Sequence, residues 1–121
     1  MSRAVYKYEI PYAGVPYGFD LKLPVGAQVL HVGPQRLGSA VSGFETYVWA
    51  LVDTDAPHSS RWFFLAGTGD SIPEDAHEHV ASWQSQDGYG REYVYHLFEC
   101  APPPPGQAAE FSVRRELVGV A

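Results

Sequence analysis

Apolar and polar positions along this chain alternate with a period of two. Phe19, Leu21 and Leu23 are separated by Asp20 and Lys22, the pattern of a strand with one buried face. Val5 to Ile10 is rich in strand formers and stops at Pro11, whose nitrogen cannot donate into a ladder. Further strands are expected over Ala27–Val32, Glu45–Val52, Arg61–Ala66, His79–Gln84 and Arg91–Glu99. Turn chemistry lies between them, at Pro11 to Gly18, Pro24 to Gly26, Asp53 to Pro57, Gly67 to Gly69 and Gln86 to Gly90. Gly33 to Gly43, rich in Gly and small polar residues, reads as a long loop. Ser71 to Ala76 reads as a turn or a single helical turn, with Ser71 and Glu74 at capping-box spacing. No stretch shows sustained helical periodicity. The expectation is an all-β fold, a small antiparallel β-sandwich or barrel of about seven or eight short strands. Residues 1–100 form one all-β domain. Residues 101–121 form a Pro-rich spacer, Pro102 to Pro105, followed by a C-terminal strand or arm.

Three of the expected strands break the alternation. Tyr47 to Val52 and Trp62 to Ala66 are apolar at both parities, and Tyr93 to Phe98 nearly so. A strand with one wet face should not look like this, and no helix is expected to cover a second face. A curled barrel, the long loop or the C-terminal tail could cover it within one chain. Otherwise the surface belongs to a partner. At roughly 25 cal/mol per Å2, covering 400 Å2 of such surface would contribute about 10 kcal/mol before the costs of association. Trp49, Trp62, Phe64 and Tyr95 are the candidate anchors, some in the core and some at an interface.

Composition narrows the classes. The chain has 121 residues and a 45% hydrophobic fraction, enough for one packed domain. A formal charge of -6 repels a phosphate backbone, so no nucleic-acid partner is expected. The apolar runs are far shorter than the ~20 residues of a membrane helix, so no membrane partner is expected either. The N-terminus alternates rather than presenting a signal-peptide core. Cys100 is the single cysteine, read as a reduced thiol in a reducing compartment.

Candidate chemistry is thin. His77 and His79 straddle Glu78 and would share a strand face as a metal-ligand pair, but a third ligand is not apparent. Asp53 and Asp55 have same-face spacing, yet at a strand end before Pro57 they read as turn caps. Gly67, Thr68 and Gly69 could form a backbone nest for an anion, though the segment is neither a dinucleotide fingerprint nor a P-loop. No serine elbow, Cys–His context or Ser-x-x-Lys is present. The expectation is therefore a protein that is not an enzyme and uses no cofactor and no metal.

The ordered segments Tyr6-Lys7-Tyr8-Glu9-Ile10, Leu23 to Val32, Trp49-Ala50-Leu51-Val52-Asp53 to Pro57, Gly67-Thr68-Gly69 with Ile72-Pro73, and His96-Leu97-Phe98-Glu99 carry a resemblance. Over about residues 5–99 the chain resembles a family of small bacteriophage and prophage proteins, a domain of unknown function. The resemblance implies phage or prophage origin and an all-β fold, and it supplies no active site to carry over. The loop at Gly33 to Gly43 and everything after Glu99 depart from the family's pattern.

The leading expectation is a non-enzymatic phage or prophage accessory protein of the host cytoplasm. It would act by binding a host or phage protein, as an inhibitor in one form, and would self-associate as a homo-oligomer. The alternatives are a β domain that binds a small molecule or nucleotide around Gly67 to Asp70 and His77 to His79, and a minor virion component whose tail serves as an assembly arm.

Overall fold

In the computed structural model, residues 2–11, 13–36, 44–86, 89–104 and 106 are described. They contain β1 (Arg3–Glu9), β2 (Tyr17–Pro24), β3 (Gln28–Arg36), β4 (Phe44–Asp53), β5 (His58–Gly67), β6 (Ala76–Gln86) and β7 (Glu92–Cys100), and no helix. A three-stranded sheet of order β1-β4-β3 packs on a four-stranded sheet of order β2-β5-β7-β6, every pairing antiparallel. The fold is thus an all-β, two-layer sandwich. The C-terminal strand or arm expected from the sequence lies outside the described residues.

Period-two patterning dictates the layers. In β2, Tyr17, Phe19, Leu21 and Leu23 are buried while Asp20 and Lys22 are exposed. In β4, Val48, Ala50 and Val52 supply the facing layer, and Phe63, Leu65 and Leu97 complete the core from β5 and β7. Phe19 and Phe63, register partners across β2 and β5, stack with ring centroids 5.7 Å apart. Tyr17 donates its hydroxyl to the Pro11 carbonyl, which fixes the first loop against the core.

One feature departs from the sequence expectation. The segment read as a loop from Gly33 begins as strand, because β3 continues through Gly33, Pro34 and Gln35 to Arg36. Pro34 lies opposite Thr46, whose carbonyl accepts from Ile10 of the other neighbour. The proline nitrogen therefore faces the free edge and costs no ladder bond. Residues 37–43 lie outside the described residues. The Ser71 to Ala76 segment makes a turn, closed by the Ala76 amide on the Pro73 carbonyl, and no helix.

The doubly apolar strands divide. Phe63, Phe64, Leu65 and Ala66 of β5 are all buried. Phe63 and Leu65 face the other sheet, whereas Phe64 and Ala66 form a second small cluster with Cys100 on the opposite face, flanked by Trp62 and Ala76. In β4 only one parity is enclosed: Tyr47, Trp49 and Leu51 remain half-buried. In β7, Leu97 is buried, Tyr95, His96 and Phe98 are half-buried, and Tyr93 and Val94 are exposed.

Candidate interaction face

Because Val48, Ala50 and Val52 point into the sandwich, the alternate residues of β4 point away from it. Register sets Val5, Lys7 and Glu9 of β1 beside Leu51, Trp49 and Tyr47. On the other side β3 sets Gln28 beside Leu51, His31 beside Trp49 and Gly33 beside Tyr47. The outer face of the three-stranded sheet is therefore an aromatic strip on the central strand, and among the described residues no strand packs over it.

The strip is ordered by its own contacts. The Trp49 ring lies 5.2 Å from His31 and 5.9 Å from Tyr47, both tilted. Gly33 gives His31 its room, since a Cβ there would come within 3.1 Å of Nε2. Lys7 reaches from β1 across β4, its ammonium 4.4 Å from the Tyr47 ring centroid, and donates to Gln35 Oε1 on β3 at 2.9 Å. The Tyr47 hydroxyl donates to Glu45 Oε2 at 2.6 Å. That bond, with some burial and the negative charges of Glu45 and Glu9, pushes the phenol up to about 12. Rings with polar tips and a charged rim are the chemistry that protein interfaces favour.

The other candidate anchors sit elsewhere. Phe64 is wholly buried and Trp62 half-buried in the second cluster, while Tyr95 is half-buried against the main core beside Trp83 at 6.1 Å. The structure does not bring these three together with Trp49.

On the outer face of the four-stranded sheet a polar chain runs between strands. Thr68 Oγ1 is 2.9 Å from His96 Nε2, His96 Nδ1 is 2.7 Å from Ser82 Oγ, and Ser82 Oγ is 2.8 Å from His79 Nε2. A serine between two imidazoles invites comparison with a nucleophile. In this chain the far nitrogen of the His96 ring meets a threonine hydroxyl, where a Ser-His-Asp triad has a carboxylate. His79 is thus tied to Ser82, and bulges at Ala76/Glu78 and His79/Ala81 interrupt the simple alternation assumed for His77 and His79. Among the described residues no three His, Cys, Asp or Glu side chains group as a metal set. Asp53 Oδ1 accepts the Asp55 amide at 2.9 Å, the turn-capping arrangement.

The glycine nest is filled from within. Asp70 Oδ2 accepts the Gly67 amide at 2.7 Å. Beside it lies an open cavity of about 520 Å3 lined by Val15, Thr68, Asp70, Glu92, Tyr93 and Tyr95 among others. Its two carboxylates repel an anionic ligand. A narrower cleft of about 240 Å3 runs along the seam between β3 and β6, where Trp83 contributes to the lining.

The parity of Tyr47, Trp49 and Leu51 was readable in the sequence, and it alone places them on one face. The contributions of Lys7, His31 and Gln35 were not readable, because they depend on cross-strand register. The Ser82–His96 contact joins β6 and β7 and had no local signal.

Fold and face together define a small antiparallel β-sandwich domain with an open aromatic sheet surface. The chain belongs to the family described as Domain of unknown function (DUF7352), which it matches over residues 1–107. The match runs past Glu99 into the proline-rich spacer. No curated protein and no solved structure matches the chain.

Proposed function

We propose that this chain is a non-enzymatic binding module, a phage or prophage accessory protein that docks a protein partner on the outer face of its three-stranded sheet. Trp49 carries the reading. It sits mid-strip on a central strand, half-buried, flanked by Tyr47 and His31, with Glu9 and Glu45 at one end of the strip and Arg3 and Asp53 at the other. Central aromatic anchors inside a charged rim dominate the energetics of most protein interfaces. Inhibition follows if the partner's own working surface is what Trp49 covers.

A photo-crosslinking residue at His31, with one at Gln84 on the other sheet as control, identifies the partner, which is then purified. Trp49→Ala should weaken its binding roughly 30-fold while leaving the thermal midpoint nearly unchanged. Wild-type affinity in Trp49→Ala overturns the reading.

A second reading rests on the cavity at Val15, Asp70 and Tyr93. Its two carboxylates and two tyrosines suit a neutral or cationic small molecule better than a nucleotide. Such a ligand at 100 times its Kd should stabilise the chain by about 2.7 kcal/mol in a thermal-shift screen.

A further inference from the structure

Each sheet has two edges, and three of the four strands at those edges carry a feature that discourages pairing. β3 and β6 are interrupted by bulges, β3 also contains Pro34, and β2 closes on Pro24. Bulges and prolines are the usual means of blunting an edge. β1 has neither: its register with β4 is uninterrupted from Arg3 to Glu9. The Ile10 amide bonds the Thr46 carbonyl and the Thr54 amide bonds the Ser2 carbonyl. Even-numbered residues of β1 thus face β4. Antiparallel geometry then turns the amides and carbonyls of Arg3, Val5, Lys7 and Glu9 outward, where no described residue pairs with them. Val5 is 54% exposed and Tyr6 45%. A lysine on an edge ordinarily guards it, but Lys7 is drawn back over Tyr47 to Gln35.

We infer that β1 pairs with β1 of a second copy of this chain, antiparallel about a two-fold axis at Tyr6, giving a continuous six-stranded sheet. Full overlap of Arg3 to Glu9 with opposite charges paired favours that register over its immediate neighbours. With the axis at Tyr6, Arg3 lies directly opposite the partner copy's Glu9, Val5 lies opposite its Lys7, and each outward amide meets a carbonyl. With the axis at Val5, Arg3 would face Lys7; with the axis at Lys7, two lysines would face each other. Opposite charges across a strand pair stabilise it and like charges destabilise it. Tyr6 falls on the axis in a non-hydrogen-bonded pair, where side chains approach most closely, so the two exposed rings cover each other. The axis is perpendicular to the sheet, so both Trp49 strips face the same side. The pairing needs no contribution from Trp49 and stands apart from the partner docking proposed above.

The test is the solution mass of the full chain over a range of concentrations, read by light scattering. The wild type should show a reversible dimer. Arg3→Glu and Glu9→Arg should each weaken it about tenfold by setting like charges opposite one another, and the double exchange should restore it. Val5→Pro removes only an outward amide and should abolish the dimer while circular dichroism stays native. Trp49→Ala should dimerise as the wild type does, which separates this result from failure of the docking face. A wild type that stays monomeric overturns the inference. So do single charge variants that dimerise normally, a double exchange that fails to rescue, or Val5 and Lys7 amides protected from exchange independently of concentration. The last outcome would mean that another segment of the same chain occupies the edge.

Discussion

Tyr47 shows how one side chain serves both shape and charge. Its ring supports Trp49 on one side and accepts the Lys7 ammonium on its face. Its hydroxyl is committed to Glu45. A phenol that donates to a carboxylate resists ionisation, since the phenolate would face that negative charge. With the native value raised to about 12 from an ordinary 10.0, the stabilising contribution of this contact is complete below the ordinary value and is lost as pH rises through the native one. Absorbance at ~295 nm should therefore show a late-titrating tyrosine that disappears in Tyr47→Phe and moves to lower pH in Glu45→Gln. A Glu45→Gln titration curve superimposable on the wild type would show that the bond does not exist in solution. Position 47 was legible as part of an apolar run. Its partner was not, because Glu45 is also just the preceding residue on the same strand face.

At the scale of elements, strands were the legible part and their neighbours the illegible part. Each of the seven strands expected before the proline-rich spacer forms, because turn residues and β-formers are local signals that register pairing does not alter. The sheet order β1-β4-β3 and β2-β5-β7-β6 has no local signature, and neither does the continuation of β3 through Pro34, which depends on which edge its nitrogen faces. Arg61 is the instructive case. Its parity is that of Phe63, so it projects between the sheets, where an isolated charge would be costly. The structure resolves this with a pair of bonds to Glu99 on β7 at 2.8 and 2.7 Å and one to the Ala27 carbonyl at 2.6 Å. Ala27 lies where the chain crosses from one sheet to the other, so this guanidinium ties β5, β7 and the crossover together. The Glu99 bonds raise its pKa further despite an opposing contribution from burial, and it stays charged wherever the fold persists. With side-chain exposures of 27% and 15%, losing one member strands a mostly buried ion. Arg61→Met should cost about 2 kcal/mol in urea unfolding, and Arg61→Met with Glu99→Met should cost clearly less than that single change. Additive losses would show that the two side chains do not interact.

The whole molecule differs from the simplest two-layer sandwich in having apolar packing on both faces of its larger sheet. Phe64, Ala66 and Cys100 lie on the side away from the main core, and all three are buried. The sequence announced this through the unbroken run Trp62 to Ala66, and part of the inference drawn from such runs fails here: β5 is enclosed within the chain, whereas β4 keeps one half-buried apolar parity and β7 exposes Tyr93 and Val94. Cys100 makes the arrangement measurable. It ends β7, opposite Trp62 on β5 and Ala76 on β6. An interior strand cannot peel away alone, because leaving would break two ladders at once and uncover Leu97 from the main core. A thiol reagent should therefore modify Cys100 on the order of 1,000-fold more slowly in the native chain than in urea-unfolded chain. The labelling rate should rise with urea as steeply as global unfolding does, since the opening that exposes the thiol is the opening of the sandwich. Labelling that is slow but nearly independent of urea would mean that the end of β7 frays by itself. The second cluster would then be an appendage to the fold and not one of the layers that hold it together.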